Sequence, residues 1–186
     1  MKIVLIRHPE PDVEPGICYG RRLDLALTPA GMLVAQNLGM NPSLDGLRVV
    51  WSSPARRCRI AAEHISDHLK LPLAIDPRLH EFDFGDWEGR KWDDIPRSDF
   101  DRWAAEPMNF RPPGGETATE LLARITEFVG ERVGANEDSV IVSHGGPLKI
   151  LAAQFRGQHP DPLAPSHAFG IPMVIDPVVA RTPLPA

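Results

Sequence analysis

Cysteine is scarce: the 186 residues hold two, Cys18 and Cys58, with no CxxC spacing. That argues against a disulfide framework and against a zinc site. Long apolar runs are missing too, and none approaches the roughly 20 residues that span a bilayer. The chain opens directly on a strand-like segment with no secretory leader, so a reduced, cytoplasmic setting with no membrane partner is the expectation. Basic charge is not in excess: the formal net charge is −5, which disfavours nucleic acid or an anionic membrane surface as partner. Internal repeats and low-complexity blocks are absent as well, so residues 1–186 read as one domain. What remains is ordinary for a globular protein with a single core: 42% apolar and 24% charged residues. The last thirty residues hold seven prolines, and from about residue 157 they read as loop and loose tail, with one strand near Met173–Ile175.

Within that frame the apolar pattern alternates between strand and helix. Lys2–Ile6 reads as a first strand, Val49–Trp51 as a second, Leu71–Ile75 as a third and Val140–Val142 as a fourth. Thr28-Pro29 is a cap followed by proline at the first helical position, predicting a helix with Met32, Leu33, Ala35 and Leu38 turned inward. Ser52-Ser53-Pro54 repeats that signal ahead of a helix carrying Ile60, Ala61, Ile65 and Leu69. Thr117 and Glu120 form a capping box before Leu121, Leu122, Ile125, Phe128 and Val129, and a last helix runs from about Pro147 to Phe155. The stretch Leu79–Phe110, with Trp87, Trp92 and Trp103, predicts short helices over the sheet edge. The alternation predicts an α/β fold, three layers with a mostly parallel central sheet.

Three of the apolar strands stop at polar residues: Arg7-His8, Ser52-Ser53 and Ser143-His144. In open α/β sheets ligands bind beyond the carboxyl ends of strands. The second strand feeds a helix whose first turn is expected to offer free N–H groups and a positive dipole end, and which carries Arg56, Arg57 and Arg59. Two histidines with arginines and a helix N-terminus suit a phosphate better than a carboxylate or a sugar. A neutral imidazole is a competent nucleophile near pH 7.

Six blocks in order carry a resemblance: Leu5-Ile6-Arg7-His8, Leu27-Thr28-Pro29-Ala30-Gly31, Ser52-Ser53-Pro54-Ala55-Arg56-Arg57-Cys58, the run Leu79 to Gly89, Pro113-Gly114-Gly115-Glu116-Thr117, and Val142-Ser143-His144-Gly145-Gly146. They resemble the histidine phosphatase superfamily, the phosphoglycerate mutase-like fold. The resemblance implies a metal-independent phosphomonoesterase with no cofactor, acting on a small-molecule phosphomonoester; a homodimer is compatible with it. It makes His8 the nucleophile, and Arg7 and Arg57 the phosphate ligands, choosing Arg57 over Arg56 by its spacing after Ser52-Ser53-Pro54. It makes His144 a donor to the phosphoryl group and Glu81 the proton donor to the leaving oxygen. The stretches Cys18-Tyr19-Gly20-Arg21, Phe82 to Gly89 and Pro112 to Glu116 are most similar to the α-ribazole phosphatase branch, which adds Tyr19, Gly20 and Arg21 to the substrate-binding set.

Two departures stand out. Pro9 occupies the place of the family's glycine and has no backbone N–H to offer, and Gly20 to Asp24 is one residue longer than the family's spacing, with Ala26 in place of proline. Two rivals follow: a mutase-type phosphotransferase, against which the short chain argues, and a phosphate-binding protein with weak catalysis, motivated by Pro9. The plainer expectations are that Arg56, Arg59, His64 and His68 are solvated helix residues, that Cys58 packs within its helix, and that Cys18 is an exposed thiol.

Overall fold

The computed structural model describes residues 1–161 and 164–177. Its strands are β1 (Ile3–Arg7), β2 (Val49–Ser52), β3 (Leu73–Ile75), β4 (Ser139–Ser143) and β5 (Pro172–Ile175). They form one sheet in the order β3-β2-β4-β1-β5. The first four are mutually parallel, and β5 closes the edge antiparallel to β1. The helices are α1 (Pro29–Asn37), α2 (Arg56–Leu69), α3 (Arg97–Ala105), α4 (Ala118–Ala135) and α5 (Gly145–Phe155).

Strand side chains alternate between faces, and β1 shows the consequence. Ile3 and Leu5 join Ile141, α4 (Leu121, Ile125, Phe128) and α5 (Leu148, Leu151, Phe155) in one core. Val4 and Ile6 join Val140, Val142 and Val50 against α1 (Ala35) and α2 (Cys58, Ala61, Ile65) in the other. Buried on both sides, the central strands are apolar between their ends, which is why they read as unbroken runs. The three-layer α/β/α arrangement is the one the alternation predicts.

Several boundaries move for local reasons. The third strand starts at Leu73 instead of Leu71, because Pro72 has no N–H to pair and lends Val50 only its carbonyl, at 2.9 Å. Thr28 does cap α1, its hydroxyl accepting from Gly31 N–H at 2.9 Å, but Leu33 is 60% exposed and Gly31 and Ala35 form the inner face. The capping box at Thr117 and Glu120 is complete. Between β3 and α4 the predicted short helices appear as three single 3-10 turns and α3. They enclose a separate aromatic core of Trp87, Ile95 and Phe110, with Phe84, Trp92, Phe100 and Trp103 packed on it. Cys18 belongs to that core and is fully buried, not exposed. The proline-rich region is not simply loose: residues 164–170 return to the end of β1, where Arg7 bridges Phe169. The expected tail from 178 onward lies outside the described residues. No described helix is long and apolar enough to cross a membrane.

Candidate active site

The register of the sheet assembles the site. Ser52 is level with Val142, which is level with Ile6, and Arg7 pairs Ser143. The ladder continues one step, with Ser53 N–H donating to Val142 O at 3.0 Å and His8 N–H to Ser143 O at 2.9 Å. Ser53, His8 and His144 therefore leave the sheet side by side at its carboxyl edge. The two imidazoles stand edge to face, their centroids 5.1 Å apart, and His8, His144, Ser53 and Arg57 are at most 1% exposed.

His8 points one nitrogen at its own chain: Nδ1 lies 2.7 Å from Pro9 O. A carbonyl only accepts, so Nδ1 carries the proton and Nε2 keeps the lone pair. Proline lacks an amide hydrogen but retains this carbonyl, so Pro9 supplies the contact that sets the tautomer. Burial, with the Arg57 and Arg7 charges adding to it, lowers the His8 pKa to about 3. His144 is also held neutral, well below the usual histidine range, by burial and then by Arg57. Its Nε2 is 2.8 Å from Ser53 Oγ and 3.4 Å from Cys58 Sγ, so Cys58 lines the underside of the site as well as packing its helix.

The three arginines of α2 separate cleanly. Arg56 and Arg59 are exposed, and Arg59 pairs loosely with Glu63 at 3.9 Å. Arg57 is buried, donating to Leu23 O at 2.8 Å and Gly20 O at 2.7 Å. Arg7 donates to His167 O at 3.0 Å. The Nε of each is buried and has no acceptor among the described residues. Two buried cationic N–H groups left open beside two neutral imidazoles make an anion cradle, since an unsatisfied buried charge is costly.

Glu81 closes the arrangement. Its Oε1 accepts from Phe82 N–H at 2.9 Å and from Gly146 N–H, in the first turn of α5, at 3.2 Å. Those bonds and the nearby arginines favour the carboxylate, yet burial outweighs them and its pKa is raised. The loop bearing it is clamped from behind: Arg124 donates to His80 O at 2.7 Å and Glu81 O at 3.1 Å, and pairs with Glu116 at 2.6 Å.

Of the remaining expected residues, Gly20 has a structural reason to be glycine: a Cβ there would sit 2.2 Å from Phe82 O. The Tyr19 ring lies under Arg57 at 5.7 Å, and burial pushes its hydroxyl pKa up. Arg21 is exposed at the rim, its N–H donating to Phe82 O at 3.2 Å. Arg22 points away, to Asp83 at 2.8 Å. The lengthened Gly20–Asp24 turn is wrapped on Glu88, whose Oε2 accepts from Gly20, Arg22 and Leu23 N–H at 2.9–3.1 Å.

Two expectations about α2 are corrected. Ser53 does not cap it; the helix begins at Arg56, and Asp24 from the preceding loop accepts from Arg56 N–H at 2.6 Å. Nor is its first turn wholly open to a ligand, since Arg56 N–H is taken by Asp24 and Cys58 N–H by Ala55 O. The reading overlooked Ser53, Glu88, Arg124 and Phe169. Glu88 had a signal in Asp86-Trp87-Glu88-Gly89; Phe169, in the proline-rich region, had none.

Comparison with known proteins places the chain in a family. Residues 3–168 match the model of the histidine phosphatase superfamily (branch 1). A putative phosphoserine phosphatase 2 of Hydrogenobacter thermophilus is 32% identical over 161 residues, 84% of this chain and 79% of that protein. The adenosylcobalamin/alpha-ribazole phosphatase of Escherichia coli is 29% identical over 164 residues, 84% and 80% of the two chains. The crystal structure of the alpha-ribazole phosphatase from Shigella flexneri superposes with a TM-score of 0.84 at 28% identity, covering 95% of this chain and 90% of that one. The chain belongs to branch 1 of the histidine phosphatase superfamily and is a phosphatase of that superfamily.

Proposed function

We propose that the protein hydrolyses a small phosphomonoester through a phosphohistidine at His8. The observation that carries this is the pairing of a neutral His8, its tautomer set by Pro9 O, with the buried, unpaired Nε groups of Arg7 and Arg57. His8 Nε2 attacks phosphorus in line, forming the N–P bond as the bond to the leaving oxygen breaks. Arg7, Arg57 and His144 hydrogen-bond the equatorial oxygens as charge develops on them. Glu81, its pKa raised by burial, gives its proton to the leaving alcohol. As a carboxylate it then takes a proton from the water that attacks phosphohistidine, and phosphate leaves.

For the substrate, we favour α-ribazole 5′-phosphate, which would place the enzyme in cobalamin assembly. Support comes from the three stretches around Tyr19, Trp87 and Gly114 and from the extent of the superposition on the Shigella flexneri enzyme. Phosphoserine is the second reading, favoured by the 32% identity to the Hydrogenobacter thermophilus protein. Steady-state kinetics on α-ribazole 5′-phosphate, phosphoserine, sugar phosphates and nucleotides decide between them; the expected result is the highest kcat/KM for α-ribazole 5′-phosphate. His8→Ala is expected to abolish turnover and acid-labile labelling from a phosphorylated substrate. Turnover surviving that change would overturn the mechanism whatever the substrate.

A further inference from the structure

Beyond α5 the chain comes back to the site. Residues 164–170 run along the end of β1, where Phe169 pairs with Arg7 as an isolated parallel rung and Gly170 N–H donates to Arg7 O at 2.9 Å. Gly170 then turns with φ +66° into β5, and a Cβ there would lie 2.5 Å from Val34 Cγ1. Only glycine allows the reversal this close to α1. Ser166 packs against the start of α5, its Oγ 3.2 Å from where a Cβ on Gly145 would be.

This return puts an aromatic face on the phosphate-facing arginine. Arg7 Cζ lies 3.8 Å from the centroid of the Phe169 ring, and the same ring is 5.4 Å from the His8 imidazole. His167 O takes Arg7 Nη1 at 3.0 Å, and His167 is itself steadied by Nε2 against Ile171 O at 3.0 Å. A guanidinium is planar, and an aromatic face holds that plane by cation–π attraction without offering a competing acceptor. With the face covered and Nη1 engaged, the Nε–H of Arg7 stays buried without an acceptor among the described residues.

We propose that Phe169 is a positioning residue for Arg7, and that the returning segment aims the open N–H edge of that guanidinium at the phosphoryl group. The inference rests on the phosphate-binding role assigned to Arg7 above. Leucine at 169 would leave the charge of Arg7 in place but release its orientation, so the loss should fall on phosphate affinity and be blind to the leaving group.

The test compares the intact chain with Phe169→Leu and Phe169→Tyr, using inorganic phosphate in calorimetric titration and steady-state kinetics on one aryl and one alkyl phosphate. Phe169→Leu is expected to weaken phosphate about three- to thirty-fold, the range of a desolvated cation–π contact, and to raise KM by the same factor for both esters. Phe169→Tyr, which keeps the ring, is expected to bind like the parent. Should leucine prevent folding, Phe169→Met gives the same reading with a more adaptable side chain. Unchanged phosphate affinity in a folded Phe169→Leu protein would overturn the inference alone. So would a loss confined to one ester, which would make the ring a wall for the leaving group. A parent protein that binds no phosphate would overturn the Arg7 assignment beneath it.

Discussion

At the residue scale, the site depends on which groups are neutral. Glu81 keeps its proton to higher pH than an ordinary carboxyl because burial outweighs two backbone donors and two arginines. As pH rises through that raised value the acid is lost, so turnover of poor leaving groups should decline first. Glu81→Gln is expected to lower kcat for an alkyl phosphate by about 10²- to 10⁴-fold, the usual worth of a general acid, while sparing an aryl phosphate; equal losses on both would refute the acid role. Ser53 makes a second case. Its Oγ accepts Ala55 N–H at 3.3 Å and stands 2.8 Å from His144 Nε2, a bond that fixes the orientation of the imidazole. Ser53→Ala is expected to reduce kcat about ten-fold, the cost of one buried hydrogen bond, with KM little changed and partial recovery in Ser53→Thr. A KM effect without a kcat effect would place Ser53 in binding instead.

Among the elements, α2 shows how a local signal can be correct chemically and wrong structurally. Ser-Ser-Pro before a helix normally marks a cap, yet Ser53 is spent on His144 and the helix N-terminus is completed from thirty-two residues away by Asp24. Asp24→Ala is expected to cost about 1 kcal/mol, the usual worth of a cap, read as a lower denaturation midpoint at an unchanged slope. An unchanged midpoint would show that the bond contributes nothing. By contrast the α4 capping box is wholly local, two residues three positions apart reaching each other, and was legible in full. The apolar strands and the order of His8, Arg57, Glu81 and His144 were legible too. Leu33 was misplaced because a nine-residue helix turned by a buried glycine leaves little periodicity to read, and Cys18 because the aromatic core that encloses it comes from residues 84–110.

For the whole molecule, folding holds three histidines in uncharged form, His8 and His144 buried and His80 half-buried. His8 titrates near about 3, His80 is lowered by burial and by Arg21 to about 4, and His144 lies well below the usual range. Unfolded histidine binds its proton near pH 6.5, so below about 6.5 the unfolded chain takes up protons the native one refuses. Stability should therefore fall steadily from about pH 6.5 toward about 3. The raised Glu81 works with opposite sign: it favours the fold below the ordinary carboxyl value, and that gain is lost as pH rises through its native pKa. Thermal unfolding from pH 8 to 4 checks this, and His80→Gln, outside the proposed machinery, is expected to flatten the decline; an identical slope would refute its share. Composition and motif order were enough for the class of fold and the family, and to nominate the five chemical residues, because strand periodicity and residue type are local properties of the chain. Which atom of Pro9 is used, what Ser53 serves and where Phe169 lands depended on register and on a chain that doubles back through β5. Those are contacts between residues far apart in sequence, set when the sheet closes.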